Sequence, residues 1–147
     1  MEPHSYNLFG TLAAPVELTD DPADNSKTLF AKGYSNLTIN FKYTPLTGES
    51  NRYALILVEV SNDEGTTFVP IAIKQNTPGE ILVYVNNADV TDGNPIVIPG
   101  TKTTTGGTVY EGSVTIEGIH ADFVKISAQE DGSADFGELG ARATLTP

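Results

Sequence analysis

The sequence predicts an all-β domain, an antiparallel β-sandwich for which the jelly roll is the favoured topology at this length. Three observations lead to this prediction. Many short runs rich in Val, Ile, Leu, Tyr and Phe follow one another at near-regular spacing, separated by turn residues. Several runs alternate apolar and polar residues with the period of two that a half-buried strand shows. No stretch has a sustained helical period or an internal repeat of solenoid length.

The stretch at residues 53–74 is expected to be central to the domain. Two apolar runs, at 53–60 and 68–73, flank a polar segment at 61–67 that contains Asn, Asp and Gly. These residue types tolerate the left-handed backbone of a tight reversal, so the stretch predicts a β-hairpin with a longer loop. Because neither alternate position of the first run is polar, we expect its strand to be central and covered on both faces.

The N-terminal residues 1–24 are predicted to form an extended arm and an acidic loop, and residues 25–147 a single sandwich domain. Residues 6–12 have the composition of one short strand, whereas Pro15 and the acidic run at 20–25 indicate an exposed loop. Such a segment either packs on its own domain as a first edge strand or reaches a neighbouring subunit.

The other strands follow in order along the chain. Alternation puts the apolar residues of 37–43, 122–128 and 141–145 on one face of each strand, which predicts strands with one face on the core. Shorter apolar runs predict further strands, which lie at residues 28–31, 80–85, 96–98 and 109–117.

Composition and charge exclude several classes of partner. The chain has 147 residues, the length of one ordinary domain, and no cysteine, so it contains no disulfide. It carries 8 Lys and Arg against 19 Asp and Glu, a formal net charge of −11. Nucleic acids and anionic membrane surfaces both require clustered basic residues, so we expect neither as a partner. No apolar run approaches the roughly 20 residues that span a bilayer. The acidic surface suits a basic partner.

The first residues lack the basic and apolar regions of a secretory signal. We therefore expect either assembly inside a cell or the earlier removal of a leader.

No catalytic constellation stands out in the sequence, and no cofactor is predicted. The two histidines, His4 and His120, lie far apart in the chain, and no Gly-x-Ser-x-Gly motif is present. Two distant histidines without cysteine do not predict a zinc site either. Paired carboxylates for glycoside hydrolysis stay open, because their separation is invisible in sequence, but solvated loop charges explain them more simply.

Calcium is the better metal hypothesis, because Ca²⁺ binds oxygen ligands in acidic loops. None of the acidic clusters has EF-hand spacing, and Asx residues populate turns for backbone reasons alone, so plain turn chemistry is the favoured interpretation. The candidate ligands are Asp20, Asp21 and Asp24 in one loop, Asp89, Asp92 and Asn94 in a second, and Asn62, Asp63 and Glu64 in the central hairpin.

Two segments carry a resemblance to a known family. Residues 58–68, VEVSNDEGTTF, resemble the S-N-D-x-G-x-T-[FWY] hairpin that recurs in virion proteins of tailed bacteriophages. The closing segment is similar to the terminal β-hairpin of those proteins. It runs from residue 123 to residue 130, crosses a loop of Gly, Ala and Asp, and continues from 136 to 145.

The resemblance implies a jelly roll or related sandwich in a virus particle, in the first place a capsid decoration (cement) protein. Such a protein is expected to be non-enzymatic and homotrimeric. It would bind the major capsid protein on the outside of the phage shell, link neighbouring capsomers, and lie on the virion surface after assembly in the host cytoplasm. Its arm would reach a neighbour through apolar side chains, for which the candidates are Tyr6, Leu8, Phe9 and Leu12.

Two other interpretations of the function stay open. A carbohydrate- or receptor-binding module would expose aromatic residues in a groove, for which the scattered tyrosines are candidates, although packing within the sandwich explains them better. Another head or tail component of a phage would share the fold class and so cannot be distinguished by sequence reasoning.

Overall fold

The computed structural model describes residues 1–71, 84–85, 96–98, 104–131 and 135–147. These residues contain one short 3₁₀ helix, Pro22–Asp24, and a series of β-strands. The strands are β1 (His4–Phe9), β2 (Val16–Glu17), β3 (Ser26–Phe30), β4 (Asn36–Thr44), β5 (Tyr53–Ser61), β6 (Val69–Pro70), β7 (Tyr84–Val85), β8 (Ile96–Ile98), β9 (Tyr110–Glu117), β10 (Phe123–Asp131) and β11 (Glu138–Thr146).

The strands form two sheets in which every described pairing is antiparallel. Sheet A has the order β1-β11-β4-β9, and β2 also pairs with β11. Sheet B has the order β3-β10-β5-β8-β7, and β6 also pairs with β5. If β1, β3, β4, β5, β8, β9, β10 and β11 are counted as eight principal strands, the sheets read 1-8-3-6 and 2-7-4-5. This is the strand order of a jelly roll. The predicted antiparallel sandwich is therefore confirmed.

Alternating side chains of the central strands fill the space between the sheets. The predicted inward faces of β4, β10 and β11 are confirmed, because all their apolar residues are buried. Side-chain sizes are complementary in sheet A, where Ala141 of β11 lies between Phe41 of β4 and Phe9 of β1. Such alternation of large and small residues lets neighbouring side chains pack without voids.

The predicted central hairpin is also confirmed, since β5 and β6 pair through Val60 and Val69. The inner face of β5 is fully buried, but its outer face, which includes Leu55 and Leu57, is only half-buried. The expectation that both faces would be covered is thus correct for one face. Among the described residues, the 3₁₀ helix lies on the outside of sheet B against β10, next to β5, and leaves Leu55 and Leu57 partly exposed.

The N-terminal segment is not a separate arm in this structure. His4–Phe9 forms an edge strand of sheet A that pairs with β11, with a shift in register between Asn7 and Phe9. Leu8 and Phe9 are 9% and 3% exposed and belong to the common core. Of the two alternatives that the sequence left open, the structure has the edge strand on the same domain, and the role of Leu8 and Phe9 in binding a neighbour stays a prediction. These two side chains are buried because the small side chains of β11 leave room for them.

Predicted strand 80–85 falls mostly outside the described residues, of which Tyr84–Val85 pair with β8. Within the described part of the chain, no helix has the length and apolar character needed to cross a lipid bilayer.

Gly137, just before β11, gives a test of how tightly one end of the sandwich is packed. A Cβ atom at this position would clash with the carbonyl oxygen of Thr44 and approach Pro45 Cα at 2.8 Å. We expect Gly137→Ala to lower the free energy of unfolding by about 2 kcal/mol, because backbone atoms must move to admit the methyl group. Urea denaturation measures this change.

Gly48→Ala is the matched control, since no atom lies within 4 Å of its Cβ position and only its φ of +91° opposes a side chain. That substitution should cost about 1 kcal/mol. If both variants lose the same free energy of unfolding, the end of the sandwich is packed more loosely than described.

Candidate functional site

Three phenylalanines lie close to one another on the outside of sheet B. Phe30 of β3 and Phe123 of β10 are cross-strand partners whose ring centroids lie 5.5 Å apart in an edge-to-face arrangement. Phe30 is 55% exposed, and Phe123 and Phe68 are half-buried. Lys125 Nζ lies 4.8 Å from the centroid of the Phe68 ring. These four residues, Phe30, Phe68, Phe123 and Lys125, are called the aromatic face below.

The β5–β6 loop places Phe68 beside Phe123. Asp63 Oδ1 accepts hydrogen bonds from Ser61 Oγ at 2.7 Å and from the Thr67 N–H at 2.8 Å. These bonds, that from the Thr67 backbone foremost, lower the pKa of Asp63 to about 2. The chain reverses through left-handed backbone at Glu64 (φ 60°) and Gly65 (φ 82°). A Cβ on Gly65 would lie 3.7 Å from the Phe123 ring and 4.0 Å from the Phe68 ring, so the loop lies close to both rings.

The same loop is tied to the start of β10. Asn62 Oδ1 accepts a hydrogen bond from the Asp122 N–H at 3.2 Å, and the Asp122 N–H also points to the Ser61 carbonyl at 3.0 Å. The Ser-Asn-Asp-x-Gly residues therefore all act in shaping this loop. Their chemical role here is to hold an aromatic surface in place.

A pocket of about 310 Å³ adjoins the aromatic face, between the 3₁₀ helix and the outside of sheet B. Apolar lining comes from Leu57 of β5 and from Pro22 and Ala23 of the helix. Polar lining comes from four side chains and the shared Lys125, namely Asp21, Ser26, Glu59 and Ser127. Glu59 Oε1 lies 3.5 Å from Lys125 Nζ. We call this cavity the side pocket.

The aromatic face and the side pocket offer binding chemistry. In the residues that the structure describes, no group of three or more His, Cys, Asp or Glu side chains could hold a metal ion. The His4 ring lies near Tyr6 and Tyr34, and no hydrogen bond joins either histidine to a carboxylate within these residues.

The calcium candidates that lie within the described residues accept hydrogen bonds in turns or are exposed. Asp21 caps the 3₁₀ helix by accepting a hydrogen bond from the Ala23 N–H at 2.9 Å. Asp24 Oδ2 accepts one from Thr19 Oγ1 at 2.7 Å, and Asp63 is bonded as described above. Asp20 lies beside them and is exposed. Asp89, Asp92 and Asn94 lie outside the described residues.

The four predicted partner-binding residues do not meet at the aromatic face. Leu8 and Phe9 are in the core, and Tyr6 packs partly against it. Leu12 is half-buried and helps to line an open groove of about 700 Å³ on the outside of sheet A. That groove runs over Asn40 and Ser113, so its lining mixes polar and apolar side chains.

A buried carboxyl group, which sequence reasoning missed, lies at the end of the sandwich opposite the β5–β6 loop. Glu130 is 1% exposed, and its Oε2 accepts hydrogen bonds from Tyr43 OH at 2.9 Å and the Gly137 N–H at 2.8 Å. Its Oε1 has no partner among the described residues. Burial raises the pKa of Glu130, although both hydrogen bonds and the charge of Arg52 lower it. Burial and the nearby Glu130 also raise the pKa of Tyr43.

The aromatic face was missed as well, although a signal for it exists in the sequence. Phe30 and Phe123 occupy the strand positions next to Leu29 and Val124, which face the core. The signal is an aromatic residue on the polar side of an alternating strand. The sequence does not show that the two strands pair, and this pairing brings the rings together.

Comparison with known proteins yields no family. No family model matches the chain, and no curated protein matches it. Among solved structures, it is similar to the K3 adhesin domain of Lys-gingipain from Porphyromonas gingivalis at 9% identity and a TM-score of 0.40, over 97% of this chain and 71% of that chain. It is also similar to a chain of infectious bursal disease virus, Gx strain, at 14% identity and a TM-score of 0.41, over 99% and 33%.

A third similarity is to an exo-β-1,3-galactanase from Phanerochaete chrysosporium, at 10% identity and a TM-score of 0.37, over 99% of this chain and 29% of that chain. The chain thus spans about a third of the viral and galactanase chains that it matches. At these identities and TM-scores the similarities carry no functional argument, and the fold assignment rests on the strand order.

Glu130 generates a prediction about pH. Because its pKa is raised in the folded state above the ordinary 4.5, the folded protein binds this proton more tightly than the unfolded chain. Its contribution to stability is therefore fully present at low pH and is lost as pH rises above 4.5 through the folded pKa. Gln keeps an oxygen acceptor for Tyr43 and Gly137 but does not ionise. We expect Glu130→Gln to gain stability relative to the wild type as pH rises from 4 to 8.

Urea denaturation at several pH values measures this difference. The exposed Glu111→Gln, in sheet A, is the control and should show no comparable trend. Parallel pH profiles for the wild type and Glu130→Gln would contradict the prediction.

Proposed function

We propose that this protein is a non-enzymatic virion structural protein that binds the outside of a tailed-phage capsid through the aromatic face. The observation that carries the proposal is the cluster of Phe30, Phe68 and Phe123, held on the outside of sheet B by the hairpin that resembles those of phage virion proteins. In this proposal the protein decorates the shell and links neighbouring capsomers.

The chemistry of the aromatic face supports a protein partner. Aromatic residues are enriched at protein interfaces, and contiguous exposed apolar surface marks interaction sites far better than single exposed residues do. Other exposed apolar side chains such as Leu46 and Val109 are not part of this cluster. Within the part of the chain that the structure describes, the aromatic face is therefore the surface that most resembles the centre of an interface.

The outside of sheet A has the opposite character, which supports an orientation on the shell. A row of hydroxyl side chains crosses all four of its principal strands in register. Ser5 contacts Thr144 at 3.0 Å and Thr38 contacts Thr115 at 2.9 Å, with Thr144 paired to Thr38 between them. A hydroxyl surface is well hydrated in the free protein. We propose that sheet A faces solvent on the assembled particle while sheet B faces the shell.

The remaining features fit this proposal without adding a second site. The jelly roll is a topology that viral capsid domains use, although fold alone does not fix function. The net charge of −11 favours docking on a basic surface. Homotrimer formation, the major capsid protein as partner and location on the virion are parts of the same proposal. Of the predicted arm residues, Tyr6 and Leu12 retain partial exposure but lie on the side of sheet A, so in this proposal they contact a neighbouring subunit and not the shell.

Binding to isolated phage shells that lack decoration proteins tests the proposal. We expect Phe30→Thr to weaken co-sedimentation with shells by about tenfold or more, because truncating a central aromatic anchor removes a large share of interface energy. Thr preserves the strand propensity of the site. Thermal unfolding should show a change of only about 1 kcal/mol, from loss of the Phe30–Phe123 ring pair.

Val109→Thr is the matched control, since Val109 is 45% exposed and lies just before β9 in the other sheet. It should bind shells as the wild type does. Equal binding by both variants would contradict docking through the aromatic face. Binding of neutral oligosaccharides but not shells, lost in Phe30→Thr, would favour the carbohydrate-binding module instead.

A further inference from the structure

We infer that the side pocket receives a basic side chain of the docking partner, specifically the guanidinium group of an arginine. The choice of partner rests on the proposed function. The pocket itself is a feature of the free protein and can be tested without any capsid.

The shape of the side pocket suits a long side chain with a charged end. Its volume of about 310 Å³ lies at the lower limit for ligand pockets, large enough for one side chain. Leu57, Pro22 and Ala23 supply apolar surface for a methylene stem. Asp21 and Glu59 supply carboxylates for the charged end.

The electrostatics of the side pocket favour a cation. The Glu59 side chain is 16% exposed, and its Oε1 lies 3.5 Å from Lys125 Nζ. Asp21 uses Oδ1 to cap the 3₁₀ helix, and no described residue donates to Oδ2. Two carboxylates and one ammonium group line the pocket, so its lining carries a net negative charge that favours a cationic side chain.

Arginine fits this arrangement better than the other cations considered. Its planar guanidinium presents several donors in a fixed geometry that matches carboxylates, and it stacks on aromatic rings such as that of Phe68 next to the pocket. A calcium ion would need several more oxygen ligands, and the described residues contain no group able to hold a metal. Arginine is also among the residues enriched at the centres of protein interfaces.

The test is a titration of the ¹⁵N-labelled full-length protein with N-acetyl-arginine amide, followed by amide chemical shifts. N-acetyl-citrulline amide, which has the same shape without the charge, is the matched probe. We expect saturable shifts concentrated at Ser26, Leu57 and Ser127 with the arginine probe and none with the citrulline probe. Glu59→Gln should weaken binding at least about tenfold, the value of one lost charge-assisted hydrogen bond.

Glu111→Gln is the control variant, because Glu111 also lies near a lysine, with 3.9 Å between its Oε1 and Lys42 Nζ, but in the other sheet. It should bind the arginine probe as the wild type does. Asp21→Asn should weaken binding while keeping the helix cap, since Asn also caps helices. Equal shifts with citrulline, shifts scattered over the surface, or full binding by Glu59→Gln would overturn the inference.

The outcome is separable from that of the proposed function. Arginine binding at the side pocket without any binding to shells would uphold the pocket and contradict capsid docking. Shell binding that is unchanged in Glu59→Gln would uphold docking and overturn the arginine anchor.

Discussion

The fit of two alanines on β11 between larger neighbours is the constraint on which the rest of this fold depends. Ala141 pairs with Phe41 on one side and Phe9 on the other, and Ala143 pairs with Ile39 and Tyr6. All the inward side chains of β11 are completely buried. Because β11 contributes so little volume, the rings of β1 and β4 can approach across it and fill the same core. The N-terminal strand is thereby part of the sandwich, and sheet A has four principal strands instead of three.

Local pattern was enough to predict much of the sandwich and too little to predict its surfaces. The alternation of β4, β10 and β11 and the hairpin at β5 and β6 follow from short-range periodicity, which the structure confirms. The position of Phe9 depends on pairing with residues more than a hundred positions away. Its apolar character alone therefore could not decide between burial in its own domain and contact with a neighbouring subunit. The aromatic face required the same kind of knowledge, since β3 and β10 come together only in the folded sheet. Glu130 has no signal of its own in the sequence, because its hydrogen-bond partners Tyr43 and Gly137 come from two other segments of the chain.

The two ends of the sandwich have different physical roles. One end is closed around Glu130, where Tyr43, Gly137 and the chain at Pro45 leave no room even for a methyl group. The other end carries the β5–β6 loop, which is held by its own hydrogen bonds and by those from Asp122, and which places Phe68 beside the exposed ring pair. In many proteins a rigid scaffold holds a loop that carries the binding residues. The loop that resembles phage virion hairpins is thus the same loop that shapes the proposed binding surface.

Hydroxyl-radical footprinting of the protein, free and bound to isolated phage shells, tests the central claim most directly. The method measures how fast each side chain is oxidised by solvent radicals and therefore reports which face is covered. We predict that oxidation of Phe30 and Phe68 falls strongly on binding, while Leu46 and Val109 are oxidised at their free rates. Protection of Leu12 or Val109 with no change at Phe30 would place the shell against sheet A and contradict the account.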